Sequence, residues 1–90
     1  MISDQTVAVL KALADPTRLN LVRRLAHEPA SRQSCGRLSA RACLSQPAMS
    51  HHFAKLVNAG VVLESKSGKE KNYQLNRQLL IKCGLVPERL

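Results

Sequence analysis

Residues 44–62 read LSQPAMSHHFAKLVNAGVV, and this stretch carries the start and stop signals of one helix. Ser45 is a good N-cap, and Pro47 falls in the first turn, where a missing N–H costs nothing. Gly60 stands just after the last turn, where a residue with positive φ commonly ends a helix. The stretch therefore predicts a helix over residues 45–59.

The two sides of this helix differ in chemistry. At 100° per residue, the positions expected to pack on a core are Met49, Phe53, Leu56, Val57 and Gly60. The opposite side holds Pro47, His51, Ala54, Lys55 and Asn58, and the flanks hold Ser50 and His52. This opposite side combines hydrogen-bond donors, one positive charge and a small residue, which suits a helix that enters the major groove of DNA.

Candidate DNA contacts follow from this geometry, because recognition helices usually present their N-terminal end to the bases. Gln46, Ser50 and His51 are the candidates for base edges. Lys55 lies one turn deeper and is expected to meet phosphate. Ser45, Pro47 and His52 complete the candidate set on this helix, and a surface role for His52 stays an open alternative.

The adjacent histidines also raise the question of a metal site. Neighbouring helical residues point about 100° apart, whereas metal ligands on a helix prefer a spacing of three or four residues. We therefore expect no metal and no cofactor here. A catalytic base would need a nucleophile and an orienting group, and the sequence offers no such set, so we do not expect an enzyme.

Two helices are predicted ahead of this stretch. The first is capped by Asp4, runs to about Ala14 and is apolar on more than one side, which indicates a second buried face. A second subunit is the simplest cover for that face, and burial within the chain itself is the alternative. The next helix is capped by Asp15, has Pro16 in its first turn, and has the stripe Leu19, Val22, Leu25 and Ala26.

The segment between these helices and the opening stretch is shorter and more polar. Residues 27–34 are expected to form a loop. The spacing of Cys35, Leu38 and Ala42 then predicts a short third helix, and Leu44 fills the turn that follows. Two short helices joined by about three residues form a helix-turn-helix.

After residue 60 the pattern changes to strands. VVLESK and KNYQLN flank SGKE, so residues 61–76 predict a β-hairpin with Gly68 in its turn. Lys66, Lys69 and Lys71 gather near the tip, where they could follow the DNA backbone or minor groove. Asn76 caps a last helix that Gly84 and Pro87 would stop, and its apolar residues also call for a partner.

Composition limits the partners. Ninety residues form a single domain, 1–90, and 14 Lys and Arg against six Asp and Glu give a formal charge of +8. Such a charge favours a nucleic acid. A membrane surface is the competitor, but no segment is apolar enough to span a bilayer. The start, MISDQT, lacks the features of a signal peptide, and three cysteines argue against a secreted disulfide framework, so we expect the cytoplasm.

The blocks LKALADPTRLNLVRRLA, LSQPAMSHHFAKLVNAGVV and SGKEKNYQLN together resemble the signature regions of the ArsR/SmtB family of bacterial repressors. The resemblance covers nearly residues 7–77. It implies a mostly α fold with a small β-hairpin, a winged helix-turn-helix of order α-α-α-α-β-β-α. It also implies a homodimer joined through the first and last helices, operator binding, and release by an inducer.

The inducer sites known in the family do not match this chain. Arsenic and cadmium sensors carry Cys-Val-Cys at the start of the third helix, where this chain has Ser34, Cys35 and Gly36. Zinc and nickel sensors use Asp, His and Glu on the last helix, which here offers none before Glu88. Some relatives sense oxidants through two cysteines, so Cys83 with Cys35 or Cys43 is a possible thiol sensor. Three small buried side chains are the alternative, and the inducer stays unknown.

The leading hypothesis is a dimeric, sequence-specific transcriptional repressor that reads a pseudo-palindromic double-stranded DNA operator. A winged-helix module that docks another protein through Pro47, His51 and Ala54 is the alternative from a different class. A thiol-responsive repressor of the same fold is a third hypothesis.

Overall fold

A computed structural model describes residues 3–27, 32–34 and 45–90 of the chain. In these ranges the helices and strands are α1 (Asp4–Leu13), α2 (Pro16–His27), β1 (Arg32–Ser34), α3 (Gln46–Asn58), β2 (Val62–Ser67), β3 (Glu70–Leu75) and α4 (Arg77–Lys82), and a 3-10 helix spans Pro87–Arg89. The predicted fold, mostly helical with a small antiparallel hairpin, is confirmed. The predicted helix from Cys35 to Ala42 and its turn residue Leu44 lie outside the described residues.

Local hydrogen bonds fix where the helices begin, because the first N–H groups of a helix have no partner within it. Three predicted caps are confirmed: Asp15 Oδ2 accepts from Arg18 N at 3.0 Å, Ser45 Oγ from Ala48 N at 3.2 Å, and Asn76 Oδ1 from Leu79 N at 3.3 Å. The predicted glycine stops are confirmed as well, since Gly60 and Gly84 follow their helices with φ of 85° and 83°. Pro87 is not a stop, because α4 already ends at Lys82 and Pro87 begins the 3-10 helix.

The cap of α1 differs from the prediction. Ser3 Oγ accepts a hydrogen bond from the N–H of Thr6 at 3.1 Å, so Ser3 is the N-cap and the assignment to Asp4 was wrong. Asp4 instead lies in the first turn. Its negative charge there still favours the helix through the dipole of the N-terminus.

The sheet has three strands in the order β1-β3-β2, and both pairings are antiparallel. Arg32 lies opposite Gln74, and Ser34 lies opposite Asn72. The prediction of a loop was therefore wrong for residues 32–34, and also for His27, which is the last residue of α2. These three polar residues show no alternation, and their partners lie some forty residues further along the chain, so no local pattern marks the strand.

A hydrophobic core lies between the three longer helices and the sheet. Its fully buried members are Val9, Leu21, Val22, Leu25, Met49, Phe53, Leu56, Val61, Val62, Tyr73 and Leu80. On α2 the predicted stripe is buried except for Leu19, which is half-buried, and Leu21 joins it. The core fixes α3 against β2 and so places the hairpin directly beside that helix.

The chain after α4 folds back onto α2. Arg23 Nε donates to the carbonyl oxygen of Leu90 at 2.6 Å, and Arg77 Nη2 donates to that of Ala26 at 2.8 Å. Arg77 also pairs with Glu88 of the 3-10 helix. Two arginines thus hold the end of the described chain along α2. Across the described ranges, no helix is both long enough and apolar enough to cross a membrane.

Candidate nucleic-acid interface

The two sides of α3 differ in exposure as the sequence predicts, except that two of the expected core positions, Val57 and Gly60, are only half-buried. Met49, Phe53 and Leu56 are completely buried. The opposite side is exposed at every predicted position: Pro47, His51, Ala54, Lys55 and Asn58. Because the buried side fixes the helix on the core, the exposed side forms a rigid surface of donors with one positive charge.

At the N-terminal end of α3, Gln46, Pro47 and His51 are exposed. Ser45 is exposed too, but its Oγ accepts the capping hydrogen bond from Ala48, so its hydroxyl is already engaged with the helix. The N-terminus of a helix carries a partial positive charge that attracts phosphate groups. This end of α3 can therefore approach DNA with both side-chain donors and a favourable dipole.

Ser50 and His52 lie on the flanks, as predicted, and both are half-buried. Nδ1 of His52 is buried and has no hydrogen-bond partner among the residues that the structure describes. This leaves Nε2 as the ring nitrogen of His52 that could reach DNA. His51, whose side chain is exposed, has the freer approach.

The start of α2 lies close to His52. The backbone N–H of Arg18 donates to Asp15 and lowers the pKa of that carboxyl, and the charges of Arg18 and His52 act in the same direction. Asp15 therefore stays ionised as the cap of α2. His52 lies near enough to Asp15 to contribute to this lower pKa, so the flank of α3 borders the start of α2.

The histidine pair does not converge on one point. The rings of His51 and His52 meet edge to face, with centroids 5.9 Å apart and planes inclined by 63°. Residues 3–27, 32–34 and 45–90 contain no group of three or more His, Cys, Asp or Glu side chains that could hold a metal ion.

The hairpin turns at Gly68, which has φ of 63°, and Lys66, Lys69 and Lys71 are exposed along it. Lys66 lies directly opposite Lys71, an unfavourable pairing of like charges. Glu64 relieves it, because its Oε1 lies 3.5 Å from Nζ of Lys71. Lys66 and Lys69 form no ion pair within the described part of the chain, so they are the more available of the three for phosphate.

A cleft opens at the C-terminal end of α3, where this helix meets α1 and α2. Its volume is about 310 Å³, and its charged lining residues are Lys11, Arg18 and Lys55. Neither Lys11 nor Arg18 is among the DNA contacts predicted from the sequence. A signal was present in Lys11, a charged residue in the middle of the otherwise apolar second half of α1.

Of the three cysteines, the described residues include only Cys83, which has no disulfide partner. It is half-buried at the end of α4, and its Sγ lies 3.7 Å from Oγ1 of Thr6 on α1. A cleft of about 330 Å³ adjoins it, lined also by Ser3, Gln5 and Lys82. The other two candidate thiols, Cys35 and Cys43, lie outside the described ranges.

Residues 13–64, more than half of the chain, match the family model of a helix-turn-helix domain. The chain is 39% identical over 77 residues to the arsenical resistance operon repressor of Staphylococcus xylosus. The alignment covers 80% of this chain and 66% of that protein. The chain belongs to the ArsR/SmtB family. The resemblance seen in the three sequence blocks is thereby confirmed.

Two solved structures and one further sequence relative are also similar to this chain, and the two structures have the same fold. HlyU from Vibrio cholerae N16961 is 32% identical, with a TM-score of 0.75 and coverage of 89% of this chain and 85% of that one. An ArsR-like transcriptional regulator from Rhodococcus sp. RHA1 is 29% identical, with a TM-score of 0.77 and coverage of 89% and 73%. A probable mercury resistance operon repressor of Streptomyces lividans is 35% identical over 72 residues.

This ArsR/SmtB chain is shorter than the curated relatives it matches. The matched residues span 66% of the Staphylococcus xylosus repressor and 55% of the Streptomyces lividans protein.

Proposed function

We propose that this chain is a DNA-binding transcriptional repressor, not an enzyme, that acts as a homodimer on a pseudo-palindromic operator in the cytoplasm. The observation that carries the proposal is the exposed side of α3, a row of polar and small side chains backed by the buried Met49, Phe53 and Leu56. Relatives named as arsenical and mercury resistance operon repressors support it.

In this proposal α3 is the recognition helix. Gln46, Ser50 and His51 contact base edges in the major groove, and Ser45, Pro47 and His52 line the same end of the helix. Phosphate contacts come from Lys55 and from the hairpin, which acts as a wing through Lys66, Lys69 and Lys71. This division follows the general rule that phosphate contacts position a protein on DNA while base contacts specify sequence.

The dimer forms through α1 and α4. Three apolar side chains on these helices are well exposed in the single chain: Val7 at 40%, Leu10 at 45% and Ile81 at 64%. The two helices are neighbours, since Thr6 and Cys83 contact each other. Burial of this surface against a second copy would remove apolar area from water and would set two recognition helices about one DNA turn apart.

A binding assay on the DNA upstream of the chain's own gene tests the function. Fluorescence anisotropy should show a complex that excess specific competitor removes. If six or more phosphates are contacted, affinity should fall by roughly 10³-fold or more between 50 and 200 mM salt. Absence of any complex at low salt would contradict the proposal and favour a winged-helix module that docks another protein.

Sedimentation tests the dimer. Leu10→Asp should shift the sedimenting mass toward the monomer, because a carboxylate would be buried at the interface. Leu63→Asp is the matched control, since Leu63 is a leucine of similar exposure, 52%, on β2 rather than on α1 or α4. Equal effects of the two substitutions would contradict dimerisation through α1 and α4.

A thiol-responsive version of the repressor is favoured by one observation, the partial exposure of Cys83 beside a cleft at the α1–α4 junction. A bulky or charged modification at this position would press on the same helices that form the proposed dimer. Cys35 and Cys43 are the candidate partners for oxidation of this thiol.

A further inference from the structure

The cleft at the end of α3 is built from three helices. The described residues that line it are Ala8, Lys11 and Ala12 from α1, Arg18 from α2, and Lys55, Asn58 and Ala59 from the end of α3. The volume of about 310 Å³ is at the lower end of the range for ligand-binding clefts. The uncharged lining is small, so the three cationic side chains surround an open space rather than a packed surface.

Positive charge dominates this space. Lys11, Arg18 and Lys55 line it, and no carboxylate is among the described residues that do so. The nearest acidic residue along the chain, Asp15, lines a different cavity with Pro16 and its neighbours. Its Oδ2 is also engaged by the backbone N–H of Arg18. A bound anion would therefore meet three cations, of which only Arg18 lies beside a carboxylate, that of Asp15, among the described residues.

Arg18 is the donor of this set whose side chain is held by a hydrogen bond. Its Nε donates to the carbonyl oxygen of Ala12 at 2.7 Å, and the side chain is half-buried. This bond fixes the plane of the guanidinium. The terminal nitrogens Nη1 and Nη2 form no hydrogen bond with any residue the structure describes, and they present the two-pronged geometry that suits a phosphate group.

The methyl groups of Ala8, Ala12 and Ala59 keep the cleft open. Asn58 adds an amide, which can donate two further hydrogen bonds. The cleft thus offers one fixed guanidinium, two flexible ammonium groups and space, an arrangement that suits a tetrahedral oxyanion.

We propose that this cleft binds a phosphate group. Lys55 and Asn58 belong both to the cleft and to the exposed side of α3, so the phosphate expected there is one of the operator backbone, beyond the bases that α3 reads. This inference rests on the proposed DNA-binding function. It extends the footprint of each subunit past the recognition helix to α1 and α2.

Lys11→Gln is the test variant, because Lys11 is exposed and removing its charge breaks no hydrogen bond or ion pair within the described residues. On an operator selected from random-sequence DNA, loss of one phosphate contact should weaken binding about fivefold at 0.15 M salt and reduce the salt slope by about one. Arg89→Gln removes the same charge from the 3-10 helix and should leave both quantities unchanged. Equal losses in the two variants would overturn the proposal.

Neutral methylphosphonate linkages, introduced one at a time in the DNA flanking the bases read by α3, identify the phosphate. The unmodified protein should lose affinity at one or two linkages, and Lys11→Gln should not respond to them. A free phosphate-bearing molecule is the other possible ligand of the cleft. Titration of the DNA-free protein with inorganic phosphate, followed by the NMR amide shifts of Asn58 and Ala59, tests for it. A saturable shift that Lys11→Gln abolishes would assign the cleft to a free phosphate-bearing molecule.

Failure of the cleft proposal and failure of the repressor proposal give different experimental results. If Lys11→Gln shows neither the methylphosphonate difference nor the phosphate titration difference while Lys69→Ala still lowers the salt slope, the cleft proposal is overturned and the repressor proposal stands. If the unmodified protein binds no DNA, the repressor proposal falls, and the phosphate titration alone decides the cleft.

Discussion

Phe53 of α3 and Tyr73 of β3 stack face to face, with ring centroids 3.9 Å apart and ring planes within 4° of parallel. They are the only phenylalanine and the only tyrosine in the chain, and both are buried. This pair joins the proposed recognition helix to the central strand of the sheet. The stack is therefore one of the core contacts that fix the orientation of α3 relative to the hairpin.

Substitution of Phe53 by leucine should cost about 1–3 kcal/mol of unfolding free energy, because the stacking contact is lost and a small void is left. Urea denaturation at one fixed protein concentration measures the cost. Met49→Leu is the matched control, since Met49 is equally buried on the same helix and the swap conserves volume, which costs less than about 1.5 kcal/mol. A cost for Phe53→Leu no larger than that of the control would argue against the stack as the link between helix and wing.

His51→Ala and Lys69→Ala should affect DNA binding in different ways. Loss of His51 should reduce the preference for the operator over altered half-sites by about 1–3 kcal/mol, because a base contact disappears. Loss of Lys69 should weaken all sequences alike and lower the salt slope by about one. Competition binding at several salt concentrations separates the two, and similar profiles for both variants would remove the assigned division between base and phosphate contacts.

Gly60→Ala should destabilise the protein more than Gly84→Ala. Both glycines have positive φ, so each substitution carries the strain of a left-handed residue, about 1–2 kcal/mol. A Cβ on Gly60 would also lie 3.0 Å from Cδ2 of Leu79, whereas at Gly84 it would meet no atom within 4 Å. Urea unfolding of the two variants isolates the contact with Leu79, and equal destabilisation would mean that Leu79 moves aside freely.

Acid should remove the contribution of Asp15. The hydrogen bond from the N–H of Arg18 lowers the pKa of Asp15 in the folded state below its ordinary value of 3.8. Its stabilising contribution is thus present above that ordinary value and is lost as the pH falls through the lowered one. The stability difference between the unmodified protein and Asp15→Ala should shrink as the pH falls below about 4.

The control for this pH dependence is Ser45→Ala, which removes an N-cap that does not titrate. Its cost, about 0.5–2 kcal/mol, should not change over the same pH range. A constant difference for Asp15→Ala as well would show that the charge of Asp15 contributes nothing.

Mild oxidation should release DNA only when Cys83 is present, if the thiol hypothesis holds. Free-thiol titration before and after oxidant, with operator affinity measured in parallel, follows both events. Cys83→Ser should retain DNA binding and lose the response to oxidant. Full operator affinity in unmodified protein whose thiols are oxidised would end the hypothesis.

The sequence by itself determined where α2, α3 and α4 begin, where α3 ends, and which side of α3 is exposed. Caps such as Asp15 and Ser45 act within one helical turn, and the 3.6-residue period places His51 opposite Phe53 without any knowledge of the rest of the chain. The hairpin also follows from local signals, namely Gly68 in the turn and the strand patterns on either side of it. At α1 two adjacent polar residues, Ser3 and Asp4, both suited the cap, and the sequence did not separate them.

Only the tertiary structure decided the pairing of β1 with β3, the stack of Phe53 on Tyr73, and the cleft that gathers Lys11, Arg18 and Lys55. Each of these joins segments that are distant along the chain. Their formation depends on how the helices and the sheet pack together, and no short-range pattern of residues encodes that packing. For this reason the exposed side of α3 could be predicted from the sequence, whereas the cleft between three helices could not.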